Sequence, residues 1–150
     1  MRITKRTNIA VRVLMYCAAN GDRLVTKSEI ADCCNISENH LAQVINQLSQ
    51  LGYLTTQRGR NGGMCLGRAA AEIRIGDVFR DVEGGLPMVE CFADADNTCP
   101  LTEACRLKEA LANAAQAFYA SLDDITLTAL ICGNDALMQL LQPVNCSPAA

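Results

Sequence analysis

Between Thr7 and Asn20 apolar residues recur at Ile9, Val13, Tyr16 and Cys17. This i, i+4, i+7, i+8 spacing predicts a helix with one buried face. Asn20-Gly21-Asp22 stops it. Thr26, with Glu29 three residues on, carries a capping-box signature, so about eight residues of helix should run to Cys34. Asn35-Ile36 makes a short turn, and Ser37 stands where it can cap a third helix. That helix carries Leu41, Val44, Ile45, Leu48 and Leu51 as one continuous apolar stripe. Its other face holds Asn39, His40, Gln43, Asn46, Gln47 and Gln50, with almost no charge. A merely solvated face usually carries Lys and Glu, whereas amides both donate to and accept from base edges. The pattern is that of a recognition helix.

The run Gly52-Tyr53-Leu54-Thr55-Thr56 reads as a strand, and Met64-Cys65-Leu66 as its partner across Arg58-Gly59-Arg60-Asn61-Gly62-Gly63. Glycine-rich tips allow positive φ and close approach, and the two arginines suit phosphates or a narrow minor groove. Helix, turn, helix and hairpin in that order make the hairpin a wing. No Gly-Lys-Ser/Thr ending and no helix start directly after it, which argues against a nucleotide cradle. Ile73 to Val82 reads as a short helix, broken by Glu83-Gly84-Gly85-Leu86-Pro87, and a loop from Val89 to Cys99 follows. From about Leu101 the chain turns helical again, with a seam of Leu107, Leu111, Ala114, Phe118 and Leu122. So long a seam needs a partner, expected to be the same helix of a second subunit across a two-fold axis. Leu127 to Cys132 and Leu137 to Leu141 suit one or two closing helices, and the end after Gln142 should fray.

The fold class expected is therefore mainly α. A winged helix-turn-helix head with a small β-hairpin wing precedes a long C-terminal dimerisation helix. The division reads as a DNA-binding domain over 1–82, a cysteine-rich loop over 83–106, and a dimerisation helix and tail over 107–150. A two-fold dimer would set two recognition helices on the halves of a palindromic double-stranded operator.

The net charge of -3 looks unfavourable for binding DNA until it is divided by position. Residues 1–68 carry nine Lys or Arg against four Asp or Glu, while residues 69–150 carry four against twelve. The first part is thus +5 and the second -8, so one end suits phosphates and the other a different task. No apolar run approaches the roughly 18 residues that span a membrane. The start MRITKRTNIA lacks the apolar stretch and cleavage site of a secretory signal, so a cytoplasmic location with no membrane partner is expected.

Nine cysteines are many for such a chain, and an odd number does not suit a closed disulfide framework. Cys17, Cys33, Cys34, Cys65, Cys132 and Cys146 are dispersed and read as small packing residues. The other three stand as Cys91-x7-Cys99-x5-Cys105, crossing a loop into the long helix. Thiolates bind iron and other soft metals. The spacing is unlike the paired knuckles of structural zinc, and the single histidine, His40, lies in the recognition helix. Three thiols leave a fourth position for a labile or borrowed ligand.

Together, MRITKRTNIAVRVLMYCAAN, SENHLAQVINQLSQLGYL, RGRNGGMCLGR, IRIGDVFRDVEG and ECFADADNTCPLTEACRLKEAL resemble the Rrf-two superfamily of winged-helix regulators. Its iron–sulfur members include the IscR, NsrR and RirA types. The resemblance implies a homodimeric transcriptional repressor, not an enzyme, with a 2Fe-2S or 4Fe-4S cluster on Cys91, Cys99 and Cys105. NHLAQVINQLSQLGYL and CPLTEACRLKEAL are similar to the nitric-oxide-sensing NsrR type, while the start resembles the iron-responsive RirA type. IscR-type proteins fit less well, because a histidine ligand follows their third cysteine where this chain has Arg106-Leu107. In the NsrR type an amino-terminal Asp can supply the fourth ligand from the other subunit, and Asn8 matches that position.

The DNA contacts expected on this reading are Ser37, Asn39, His40 and Gln43 at bases or groove. Lys27 and Ser28 lie at the phosphates, and Arg58, Arg60 and Asn61 belong to the wing. Competing readings are a structural zinc-binding DNA protein and a redox carrier. The second lacks a flavin or nucleotide motif and a second histidine for acid–base work.

Overall fold

The computed structural model describes residues 3–83, 90–92 and 97–142. Helix α1 spans Lys5–Ala19 and starts two residues before the apolar periodicity, because Thr4 caps it by accepting from the Thr7 amide. Val13, Leu14, Tyr16 and Cys17 on its inner face are buried. Helix α2, Lys27–Cys34, opens on the expected capping box: the Glu29 amide donates to Thr26 Oγ1 at 3.3 Å, and the Thr26 amide to Glu29 Oε2 at 2.6 Å. Asn35 then adopts left-handed backbone, φ 52°, which ends α2 and turns the chain into α3, Glu38–Gln50. Asparagine tolerates that region better than most residues.

Two details of α3 differ from the sequence reading. Ser37 occupies the N-cap position without capping, because its hydroxyl pairs with His40 Nδ1 at 2.9 Å. Gln47 does not share the solvated face: its Nε2 donates inward to the Val82 carbonyl at 3.3 Å. Leu41, Val44, Ile45 and Leu48 are buried as expected.

Strands β1, Leu54–Gln57, and β2, Gly63–Leu66, pair antiparallel, with Leu54 opposite Leu66 and Gln57 opposite Gly63. Val25 and Met64 exchange backbone bonds of 2.8 and 2.9 Å, so the linker before α2 pairs with the outer edge of β2 near the hairpin's turn. After a 3-10 turn at Ala70–Glu72 comes α4, Ile75–Glu83. Its last turn is bonded on three sides. Asp81 accepts from the Tyr53 hydroxyl at 2.6 Å, Val82 from Gln47, and Glu83 Oε1 from Thr4 and from the Thr7 hydroxyl.

The long helix α5, Arg106–Asp123, begins five residues after the expected start at about Leu101 and includes the whole seam from Leu107. Thr102–Ala104 forms a 3-10 turn and Cys105 is extended. Helices α6, Leu127–Ile131, and α7, Asp135–Leu140, are capped by Thr126 and Asn134. The segments leading into α4 and α6 pair: Ile75 N donates to Ile125 O at 2.9 Å, and Leu127 N to Ile73 O at 2.8 Å. Leu127, Ile131 and Leu141 consequently join the core built on α1. The buried Asn20 amide donates to the Leu141 carbonyl at 2.9 Å, tying the two parts of the chain.

The seam of α5 is divided. Phe118 meets Phe79 of α4 with ring centroids 6.1 Å apart, and Leu122 packs against the core. Leu107, at the other end, is 65% exposed. Cys146 and the frayed end expected after Gln142 lie outside the described residues.

Candidate functional site

At about 100° per residue, the buried positions of α3 occupy one side of the helical wheel and leave Asn39, His40, Gln43, Asn46 and Gln50 on the other. All five are exposed. Ser37, also exposed, fixes the imidazole of His40 through Nδ1 and leaves Nε2 as the ring's second polar atom. On one edge of this face Lys27 pairs with Glu38 at 2.8 Å, which clips the start of α2 to the first turn of α3. Ser28 follows Lys27 in that first turn and is exposed. The pair is solvated, and such pairs hold weakly, so Lys27 can exchange Glu38 for a phosphate.

Arg58, Arg60 and Asn61 form the exposed tip of the wing. Gly62 makes the tip tight: a Cβ there would fall 2.3 Å from the Gln57 carbonyl, so this position accepts only glycine. At the base, Arg68 donates to the Leu51 and Gly52 carbonyls and lies 4.4 Å from the Tyr53 ring centroid. Arg68 is thereby structural, and Arg58 and Arg60 are the wing's outward cations.

The opposite edge of α3 carries two residues that the sequence reading passed over. Lys5 and Arg6, exposed on the first turn of α1, border a small pocket with Ile9, His40, Gln43 and Val44. The available signal was the surplus of basic residues at the amino end.

Asn8 is exposed on α1 and borders a separate pocket with Ser37, His40 and Phe79. The structure therefore does not bring Asn8 to the cysteines of its own chain. Those cysteines group elsewhere. Cys91 lies in a 3-10 turn, Glu90–Phe92, and Cys105 immediately precedes α5. Both border one pocket of about 770 Å³ together with Asn97, Thr102 and Lys108. Cys99 is held beside it: its amide donates to Asn97 Oδ1 at 3.1 Å, and its carbonyl accepts from Thr102 Oγ1 at 2.9 Å. Asn97 also donates to Thr102, which closes this side-chain network. All three thiols are free and half-buried. Among the described residues no three His, Cys, Asp or Glu side chains converge as a ligand set. In donor chemistry the group suits a thiophilic metal centre, with three sulfurs on one short segment and two of them, Cys91 and Cys105, lining one pocket.

The remaining described cysteines differ. Burial pushes the Cys17 thiol up to about 12, and burial with the neighbouring Cys33 pushes Cys34 up to about 11. Both stay protonated and serve as packing. Cys33 donates to the Leu140 carbonyl, and Cys65 is half-buried. Cys132 is exposed, so the packing role expected of it does not hold.

Helix, left-handed turn, exposed amide-bearing helix and arginine-tipped hairpin define a winged helix-turn-helix DNA-binding module. A family model described as Rrf2, iron-dependent transcriptional regulator, matches residues 3–133, and the chain belongs to that family. The fold is shared with solved structures. CymR of B. subtilis, the global cysteine regulator of that organism, is 24% identical with TM-score 0.67, the match covering 87% of this chain and 95% of that one. T. potens IscR is 26% identical with TM-score 0.68, covering 91% and 88%. The oxidized form of Staphylococcus aureus CymR is 26% identical with TM-score 0.68, covering 87% and 95%. The protein is thus a member of a family of transcriptional regulators. Among the described residues no helix is long and apolar enough to cross a membrane.

Proposed function

We propose that the protein is a homodimeric repressor of the NsrR type, with operator affinity controlled by an iron–sulfur cluster on Cys91, Cys99 and Cys105. The observation that carries this reading is the shared pocket of Cys91 and Cys105, with Cys99 fastened to its wall by Asn97 and Thr102. When bound, the cluster would supply iron able to react with nitric oxide. The protein's part is to hold the segment from Cys91 to Cys105 in one conformation at the root of α5. Exposed apolar surface at Leu101 and Leu107 supports a second subunit packed on that half of the helix. The three-part division then describes tasks: reading over 1–82, sensing over 83–106, and pairing over 107–150.

Ser37, Asn39, His40 and Gln43 would enter the major groove, with Lys27 and Ser28 on the adjoining phosphates and Arg58, Arg60 and Asn61 in the flanking groove. Asn8 is assigned to the partner's cluster segment, where an amide makes a weak fourth ligand. Loss of the ordered segment changes the spacing of the two heads and shifts the population away from the operator-bound arrangement.

The family's description as iron-dependent favours a second reading, in which cluster loss at low iron is the signal, as in the RirA type. Anaerobic purification with visible spectroscopy, followed by operator titration, separates the readings. An absorbing preparation released from DNA by nitric oxide is expected. Release by an iron chelator alone would select the iron-responsive reading, and a colourless zinc-loaded protein would overturn both.

A further inference from the structure

We propose that Lys5 and Arg6 form a second phosphate-contacting wall beside the recognition helix, and that Glu83 positions it. This rests on the DNA-binding reading and adds residues to it.

On α3, Glu38 and His40 lie roughly 160° apart around the helix axis, at opposite margins of the exposed face. Lys27 stands at the Glu38 margin. Lys5 and Arg6 stand at the His40 margin, where they share a pocket with His40 and Gln43. A helix seated in the major groove has a sugar-phosphate strand on either side. Cations along both margins match that arrangement, and phosphate contacts fix register without reading sequence.

The first turn of α1 is held by the end of α4. Glu83 Oε1 accepts from the Thr4 amide at 3.0 Å, the Thr4 hydroxyl at 3.1 Å, and the Thr7 hydroxyl. Thr4 and Thr7 bracket Lys5 and Arg6 in sequence. Without this acceptor, the cap residue and the buried Thr7 lose their shared partner and the two cations lose their fixed placement. Glu83 is also the last residue of α4, and the chain runs from it into the segment that bears Cys91. One carboxylate therefore joins the sensing segment to the wall of the DNA-reading face.

The test uses the full-length chain, purified anaerobically, with a pool of random-sequence duplex as probe. Binding is followed against salt, because each phosphate contact contributes about 0.9 to the slope of log K against log salt. Lys5→Gln/Arg6→Gln is expected to flatten the slope by about two units without changing the thermal midpoint. Glu83→Ala should flatten it in the same direction, and adding the double substitution to Glu83→Ala should produce little further change. Glu83→Gln keeps an acceptor oxygen and should restore most of the slope. Where Glu83→Ala does not fold, Thr7→Val removes one donor to the same carboxylate while keeping the buried shape. An unchanged slope in the double variant overturns the wall, and fully additive effects overturn the positioning role of Glu83. A wild-type chain without salt-dependent binding overturns the DNA-binding reading itself, and this inference with it.

Discussion

The guanidinium of Arg80 on α4 grips the carboxylate of Asp123, the last residue of α5, through two bonds of 2.6 Å. That carboxylate lies over Gly76, where an added Cβ would come within 1.9 Å of Asp123 Oδ1. Arg80 also stacks 5.0 Å from the Tyr119 ring centroid. This cluster fixes the angle at which the long helix leaves the head.

Asp123→Ala is expected to lower stability only slightly, as for other solvated pairs. Its larger effect should fall on operator affinity, through the spacing of two heads. Gly76→Ala displaces the same carboxylate and should reproduce the affinity loss. Thermal melts beside operator titrations check both, and unchanged affinity in both variants would show that the clasp does not set the helix angle.

Gly62→Ala should damage the wing alone. The new methyl collides with the Gln57 carbonyl at the hairpin tip, far from the core residues of α1 and α3. DNA binding is expected to weaken while the thermal midpoint moves little. A midpoint drop as large as that of a buried Leu→Ala change, about 2–5 kcal/mol, would contradict the assignment.

Thr26→Ala removes the cap of α2 and should cost about 1 kcal/mol. Glu29 supplies a pH signature. Burial works against its charged form, but bonds from the Thr26 amide and hydroxyl and from Arg23 outweigh that and hold its carboxyl below the usual range. The stabilisation is fully present above the ordinary glutamate value of 4.5 and is lost as pH falls through the lower folded value. Melts from neutral to acid pH should show a decline that the Glu29→Gln variant lacks.

Cys91→Ser and Cys105→Ser are each expected to abolish the visible absorption of anaerobic protein. Cys17→Ala and Cys34→Ala should keep it, since burial holds those thiols protonated. Thermal melts then separate the groups, with the buried Cys17 site losing the most stability. Absorption that persists without Cys105 would exclude it as a ligand.

The features legible in the sequence are local ones. The Thr26–Glu29 capping box, the α3 stripe and the wing glycines each act within a few residues, so spacing alone discloses them. The pull of His40 on Ser37 was local too, but a hydroxyl has competing partners and spacing does not choose between them. The inward role of Gln47 is hidden from spacing because its partner, the Val82 carbonyl, is 35 residues away. Lys5 and Arg6 stood in plain view as charge, yet their role depends on the packing of α1 beside α3. Spacing discloses the cysteine segment, but not the 3-10 turn Thr102–Ala104 and the extended Cys105 that precede α5.

The bond from Asn20 to the Leu141 carbonyl spans 121 residues of chain. With Leu127 and Ile131, it makes the α1 core depend on segments synthesised long after the recognition helix. A chain lacking α7 would present a reading head with an unfilled flank, its buried Asn20 amide keeping the Tyr16 carbonyl as partner but losing that of Leu141.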